Sequence, residues 1–574
     1  MGSEMERIFT QSDFDTLYGE NEKSIPKILK EMPNDQLIKF FYSMKNSPEV
    51  TQKVVLQDIL KCAEKSQYGL KMGFSEIKSI EDFKKKVPIS HYKDYEPYIE
   101  KIKVGESNVL FNGKPTRFIA TSGSSGVPKL IPESDNGECI KAIISQIRAI
   151  LLLMLAPEVM APDKKILAIT NPSEYDKTDG DIPIGSASGQ AAKDMPKEMQ
   201  QKMILPLELM AAKNLSNEAT DYLTILFALK EKNLAGVICS NIAHFNILLN
   251  KMNNYAQLLI DDIKNGVISS RIEMDEGLRK RLISRLQPNP IRAEELREIY
   301  DDQKELDVAF IWPMLSVVSC WMSASAQRIV ADIKKRLPKE IKFLEWGYGA
   351  SEGKFNIPTK PNDPAGFLGL FGYFFEFLPL GAENTLEAHE LKPGEYYELI
   401  ITSYSGLYRY NMKDIVCVKE IENQSPRIVF ISKSSESLKL ENLELMIHEM
   451  DEIIKKTVDE ENEEIRFVQI LTDQKEKKLV FIIESISSEI SGESFRTSLE
   501  NTLMKENSIY EDNRRLKQFS PLEIIFMKQG YRDSLFTRSI MTGKNVNQTK
   551  LKTMIDAYPE NSSILNWVKG DDND

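Results

Sequence analysis

The sequence predicts an α/β protein in which a large N-terminal domain, built of helix-covered sheets with a β-barrel-like subregion, carries a small mobile α+β C-terminal domain. Three observations predict it. From Lys164 onward short β-branched runs alternate with longer segments of helical period, residues 366–418 hold closely spaced strands, and the stretch beyond residue 437 reads as a compact unit of its own. A chain of 574 residues with 41% hydrophobic content has room for about two to four cores at roughly 100–200 residues each.

Residues 1–100 are mainly helical in pattern, with Ile25 to Phe41 and Glu49 to Ala63 the clearest stretches. Arg117-Phe-Ile-Ala-Thr121 reads as a strand. The helix after it sets Ile140, Ile143, Ile144, Ile147, Ile150, Leu151 and Met154 at the spacing of a buried face. Strands are expected at 165–170, 234–239, 316–320 and 341–345, with helices between them. Gly372 to Pro379 and Tyr396 to Thr402 then favour an antiparallel or barrel-like sheet. A boundary is expected near 419–437, where Lys419 to Pro426 is polar and Lys433-Ser-Ser-Glu-Ser437 has the composition of a hinge. The expected domains are thus 1–430 and 438–574, joined by a hinge at 431–437. The second reads helix (Asn442 to Val458), strand (Ile465 to Thr472), strand (Lys478 to Glu484), helix (Gly492 to Lys505) and strand (Leu522 to Lys528), ending in an acidic tail.

Composition narrows the function classes. A net charge of −12 argues against a nucleic-acid partner, whose phosphates demand a basic field. The longest apolar run, 149–157, is well short of the roughly 18 residues that span a bilayer. The start of the chain also lacks the pattern of a cleavable signal, so no membrane partner and a cytoplasmic location are expected. Five singly spaced cysteines suit a reducing compartment. The four histidines have no metal-ligand neighbour at helical or hairpin spacing. That argues against zinc chemistry and a Ser-His-Asp mechanism, and each histidine is expected to be structural or solvent-facing.

Three segments carry chemistry. In Thr121-Ser-Gly-Ser-Ser-Gly-Val-Pro-Lys129 the glycines at 123 and 126 let the main chain approach a ligand closely. Successive amides there can form an anion nest, with the hydroxyls of Ser122, Ser124 and Ser125 as further donors and Lys129 as a mobile charge. The spacing is not that of a Walker A loop. In Glu345-Trp-Gly-Tyr-Gly-Ala-Ser-Glu-Gly353 the Tyr348 face can stack on a base, Ser351 can donate to a phosphate and Glu352 can bind the magnesium that bridges ATP phosphates. In Gly406-Leu-Tyr-Arg-Tyr-Asn-Met-Lys-Asp-Ile-Val416, Asp414 stands just before a strand, where it can accept both ribose hydroxyls.

Taken in order, these segments resemble the signature motifs of the auxin-responsive (Gretchen Hagen three) acyl-acid amido synthetase family, and most of all its bacterial-type members. That family lies within the superfamily of acyl-CoA synthetases, luciferases and adenylation domains. The likeness extends from Val87–Tyr98 through Trp312-Pro and Ser319-Cys-Trp321 to Gly543–Lys550. It implies a ligase that uses ATP and Mg²⁺ to adenylate a small carboxylic acid, releases pyrophosphate, and passes the acyl group to the amine of an amino acid. It implies that Ser122, Gly123, Ser124, Ser125 and Lys129 grip the phosphates, and that Tyr348, Gly349, Ala350 and Ser351 line the nucleotide. Glu352 would be the metal ligand and Asp414 the ribose acceptor. Lys550 would stabilise the adenylation transition state, in which negative charge shifts onto non-bridging oxygens. The chain departs from the family at Asn411 and Lys413, where Arg and Gly are usual, and at Asn442, where Lys is usual. The missing glycine puts the aim of Asp414 in question.

Each segment alone has a plainer reading. On its own segment Tyr348 reads more readily as a core aromatic and Glu352 as a helix-start carboxylate, while Arg409 reads as either a strand position or a phosphate ligand. The stretch Ile182–Gly189, with Ser188, is an acyl-pocket wall or a turn. Trp321 and Ser323 are acyl-pocket candidates on the same footing, and Cys320 reads as a buried small hydrophobe. For the whole chain, thioester formation with coenzyme A and a nucleotide-binding interaction module without turnover are the alternatives.

Overall fold

The computed structural model describes residues 23–121, 129–169, 176–185, 200–210, 212, 215–324, 326–486, 492–541, 551–555, 557–558 and 568. The chain divides into two units, Met1–Ser323 with Lys334–Phe430, and Ala324–Ile333 with Ile431–Asp574.

The first unit opens with helices. The stretch Ile25 to Phe41, expected as one helix, forms two, Ile25–Glu31 and Asn34–Lys45. Pro33 is the cause: it offers no N–H, and it holds Met32 extended at ψ 138°. In the first sheet β1 (Arg117–Ala120) lies between β2 (Leu130–Glu133), antiparallel, and β5 (Pro183–Gly185), parallel, with β4 (Asp176–Lys177) beyond. The second sheet is wholly parallel, in the order β3 (Lys165–Ile169), β6 (Leu234–Cys239), β7 (Val317–Cys320) and β8 (Lys342–Glu345). Its strands are near-continuous apolar runs, as expected of a sheet buried on both faces.

The third sheet has six strands: β9 (Asn356–Pro358), β10 (Gly366–Leu368), β11 (Tyr373–Pro379), β12 (Tyr396–Ser403), β13 (Tyr410–Glu422) and β14 (Ser425–Lys433). Their order is β11-β12-β13-β14-β10-β9. The polar stretch Lys419 to Pro426 is the β13–β14 hairpin, with Asn423 and Gln424 both left-handed at its turn (φ 49° and 65°).

The long helix Asp135–Leu155 starts where the Ser134 hydroxyl accepts the Gly137 N–H at 3.0 Å, and it buries Ile140, Ile143, Ile144, Ile147 and Leu151. Met154, expected on that face, is exposed. His244, buried with Asp221 at 2.7 Å, ties helix Ile242–Asn254 to helix Asn217–Lys230, and Lys251 reaches the same carboxylate at 2.8 Å. The histidine serves here as a buried tie between two helices.

In the second unit the helix expected from Asn442 begins later. Leu443 and Leu445 are buried and Glu444 is exposed, a period-two pattern, so β15 (Ser437–Leu440) and β16 (Leu443–Met446) form a hairpin through Glu441 at φ 54°. The helix then runs Ile447–Glu461. β17 (Ile465–Asp473) pairs antiparallel with β18 (Lys478–Ser485), which pairs parallel with β19 (Glu523–Met527). One face packs Ile453, Ile454, Phe481, Leu499 and Leu503 into a core. Residues 551–555 lie along β17: Ile470 N–H donates to the Thr553 carbonyl at 2.7 Å and Ile555 N–H to the Ile470 carbonyl at 2.9 Å. Asp332 accepts from Arg466 (3.3 Å) and Arg532 (3.1 Å) within this unit. No helix among the described residues is long and apolar enough to cross a membrane.

Candidate active site

The loop after β1 is closed at its neck. Thr121 N–H donates to the Lys129 carbonyl at 2.9 Å, and Lys129 N–H donates to the Thr121 hydroxyl at 3.0 Å. Ser122, Gly123, Ser124 and Ser125 lie outside the described residues. The Lys129 ammonium stands 5.2 Å over the ring of Tyr92, whose hydroxyl accepts the Leu130 N–H at 3.1 Å.

The second segment leaves the end of β8. The Gly347 backbone is left-handed (φ 90°), and a Cβ there would lie 2.4 Å from the Arg148 guanidinium, so only glycine fits. Arg148, on the long helix, donates to the Tyr348 carbonyl at 3.1 Å and to the Asn356 carbonyl at 3.0 Å; burial lowers its pKa to about 10. The Ala350 N–H donates to the Gly353 carbonyl at 2.8 Å, and Gly349 bridges Lys354, which folds this segment into a tight turn. The Ser351 hydroxyl donates to the Ala120 carbonyl at 3.1 Å, beside the first loop. The Ser351 carbonyl accepts from Lys141 at 2.8 Å, and Lys141 is itself paired with buried Glu133. Burial raises the Glu133 carboxyl above its ordinary range, and Lys141 opposes that rise. Ser405, just before the third segment, donates to the other Glu133 oxygen at 2.9 Å.

Tyr348 is 3% exposed, with its ring stacked on Phe430 (centroids 5.2 Å, 26°) and tilted against Phe355. Its hydroxyl donates to Asp414 at 2.5 Å. Burial first, and the Asp414 charge second, push the phenol well above its usual range, so it stays a donor. Burial, and then the charge of nearby Glu352, raise the Tyr410 phenol likewise. Glu352 and Asp414 are both buried.

The two departures beside Asp414 compensate each other. Lys413 itself takes the left-handed conformation (φ 55°), and the Asn411 side-chain oxygen accepts the Lys413 N–H at 2.7 Å, an Asx turn. The turn is kept without glycine. Arg409 is neither a free strand position nor a phosphate ligand: it is left-handed (φ 47°) and forks onto buried Glu376 at 2.8 and 2.9 Å. Asn442 sits in the β15–β16 turn and accepts from Asn513 at 3.2 Å.

Of the acyl-pocket candidates, Ser188 lies outside the described residues. Trp321 is half-buried, its ring 5.8 Å from Phe430, on whose ring Tyr348 also packs. Ser323 is buried near Glu345, whose charged form it favours. Glu345 accepts the Met322 N–H at 2.7 Å and the Gly347 N–H at 2.9 Å, and burial lifts its pKa to about 7. Cys320 is fully buried, and burial raises its thiol well above the usual range, as befits a packed hydrophobe. Lys550 lies outside the described residues; the chain that follows it is the segment paired with β17.

The structure therefore brings Lys129, Tyr348, Gly349, Ala350, Ser351, Glu352 and Asp414 into one hydrogen-bonded region. Sequence reasoning missed Tyr92, Glu133, Lys141, Arg148, Glu345, Tyr410 and Phe430 as parts of it. Glu345 and Tyr410 stand within the second and third segments without a role assigned to them, Tyr92 lies in the resemblance across Val87–Tyr98, and nothing signalled the other four. No group of three or more potential metal ligands occurs among the described residues. A Mg²⁺ ion here would take one protein carboxylate, Glu352, with phosphate oxygens and water completing its shell, as nucleotide-bound magnesium commonly does.

The comparisons with known proteins agree with this geometry. The chain matches the GH3 family N-terminal domain over residues 37–341, the central domain over 368–433 and the C-terminal domain over 446–559. It is 26% identical over 579 residues to the jasmonoyl–L-amino acid synthetase JAR6 of Nicotiana attenuata, covering 94% of this chain and 96% of the relative. To the indole-3-acetic acid-amido synthetase GH3.3 of Arabidopsis thaliana it is 25% identical, covering 91% and 92%. The fold is similar to that of a GH3.15 acyl acid amido synthetase in complex with 2,4-DB (TM-score 0.81, 19% identity, 96% and 98% covered). It is more distantly similar to that of a 2-hydroxyisobutyryl-CoA ligase (TM-score 0.53, 11% identity, 89% and 89% covered). Matched in order by all three of its domains, the chain belongs to the GH3 family.

Proposed function

We propose that this chain is an ATP-dependent acyl-acid amido synthetase, a ligase that joins a small carboxylic acid to the amine of an amino acid. The observation that carries the reading is the pair of hydrogen bonds by which three distant segments meet: Ser351 on Ala120 and Tyr348 on Asp414. In the first step a carboxylate oxygen of the acid bonds to the α-phosphorus of ATP, the bond to the leaving oxygen breaks, and pyrophosphate departs. The first loop and Lys129 hold the phosphates, and Asp414, fixed by the Tyr348 hydroxyl, accepts from the ribose. Bound Mg²⁺ would neutralise phosphate charge beside Glu352. Lys550, delivered by movement of the C-terminal domain, would meet the charge that builds on the α-phosphate. In the second step the amine nitrogen bonds to the acyl carbon, AMP leaves with the former bonding pair, and the amine sheds a proton. The five free cysteines fit a cytoplasmic site of action.

Acid-dependent exchange of labelled pyrophosphate into ATP, over a panel of aromatic and aliphatic acids without amine, tests the first step. Exchange is expected with one class of acid, and adding an amino acid should turn it into net AMP release. Lys550→Ala should cut exchange by roughly 10²–10³-fold while ATP still binds. ATP binding with no exchange across the panel would overturn the reading in favour of a module without turnover.

A further inference from the structure

Glu345 is a buried carboxylate that the chemistry above does not use. It ends β8 directly opposite Cys320, the last residue of β7. The ladder between those strands finishes with the Trp346 N–H donating to the Cys320 carbonyl at 2.9 Å. Beyond it the two chains part, one into the acyl-side loop 321–323 and the other into the nucleotide-side loop 346–352. Each has an N–H at this point, buried at Met322 and half-buried at Gly347, and Glu345 takes both, Met322 on Oε2 at 2.7 Å and Gly347 on Oε1 at 2.9 Å. Two acceptor oxygens on one group at a strand end thus hold an N–H from each of the two loops.

We propose that Glu345 is a positioning residue that sets the acyl-side loop in register with the nucleotide-side loop, so that the acid's carboxylate meets the α-phosphate in line. This rests on the amido synthetase reading and deepens it. The charge matters less than the number of acceptors. Glutamine has the same shape and a single acceptor oxygen, so it can keep one N–H and must turn its own NH₂ toward the other.

The test compares full-length wild type with Glu345→Gln by amide hydrogen exchange and by steady-state kinetics. One of the two loops should lose protection about tenfold or more while β7 and β8 stay protected. The KM for the acid should rise about tenfold or more, and that for ATP by much less. Unchanged protection in both loops, loss of protection in the strands themselves, or a fall in kcat with the acid KM unmoved would overturn the proposal. If Glu345→Gln does not fold, Glu345→Asp, which keeps both acceptor oxygens on a stem too short to reach Met322 and Gly347 together, should deprotect one of the two loops and raise the acid KM; unchanged protection and KM would sink the idea. If wild type exchanges pyrophosphate with no acid, the amido synthetase reading fails, and amide exchange still decides whether Glu345 ties the loops.

Discussion

Glu345 illustrates how a single residue can be legible in identity and illegible in role. Burial raises its pKa from the ordinary 4.5 to about 7, with two backbone N–H groups, Arg148 and Ser323 opposing the rise and Cys320 the other titratable group facing it. The sign follows directly. Between about pH 4.5 and 7 the folded chain holds a proton that the unfolded chain has released, so this group's contribution is full below the lower value and is lost as pH rises through the upper. The span is on the order of 3 kcal/mol at most. Denaturation of wild type and Glu345→Gln across pH 4.5 to 8 should therefore show the glutamine variant gaining relative stability as pH rises to about 7; parallel curves would refute the shift. The residues of the three signature segments were readable because glycines, hydroxyls and a terminal lysine state their chemistry locally. Glu133, Lys141 and Phe430 were not, since each is ordinary in its own stretch and gains a role only when tertiary packing brings it to another segment. The family departures were visible at 411 and 413, but not that one supports the other.

At the scale of elements, the parallel sheet and the long helix could be read from apolar period alone, and the misreadings have local causes. Pro33 split one expected helix, and the alternation at Leu443–Leu445 turned an expected helix start into a strand. Ties between elements carry energies that no period shows. Arg409 joins β13 to β11 through Glu376 and also donates to the Lys84 and Val87 carbonyls at 2.8 and 2.9 Å. Removing one partner of such a pair leaves a buried charge, which costs about 3–5 kcal/mol. Glu376→Ala should lower stability by that amount in chemical denaturation, and a loss under about 1 kcal/mol would show that the pair is not buried in solution.

For the whole molecule, separate cores imply separate melting. Leu503 is fully buried in the core of the C-terminal unit, and Leu503→Ala should cost about 2–5 kcal/mol there. Scanning calorimetry should resolve two transitions, with this substitution lowering one and sparing the other; a single transition shifted as a whole would show that the units unfold together. The expectation of a small α+β unit came from composition and period, both of which run along the chain, whereas the membership of Ala324–Ile333 in that unit is set by contacts far apart in sequence. Asp332 lies in that stretch and serves Arg466 and Arg532. The C-terminal unit is therefore discontinuous, and it is not a cassette. Excising 431–574 as a fragment would strip both arginines of Asp332, and grafting it onto another member of the family would bring the cations without the acid they were folded against.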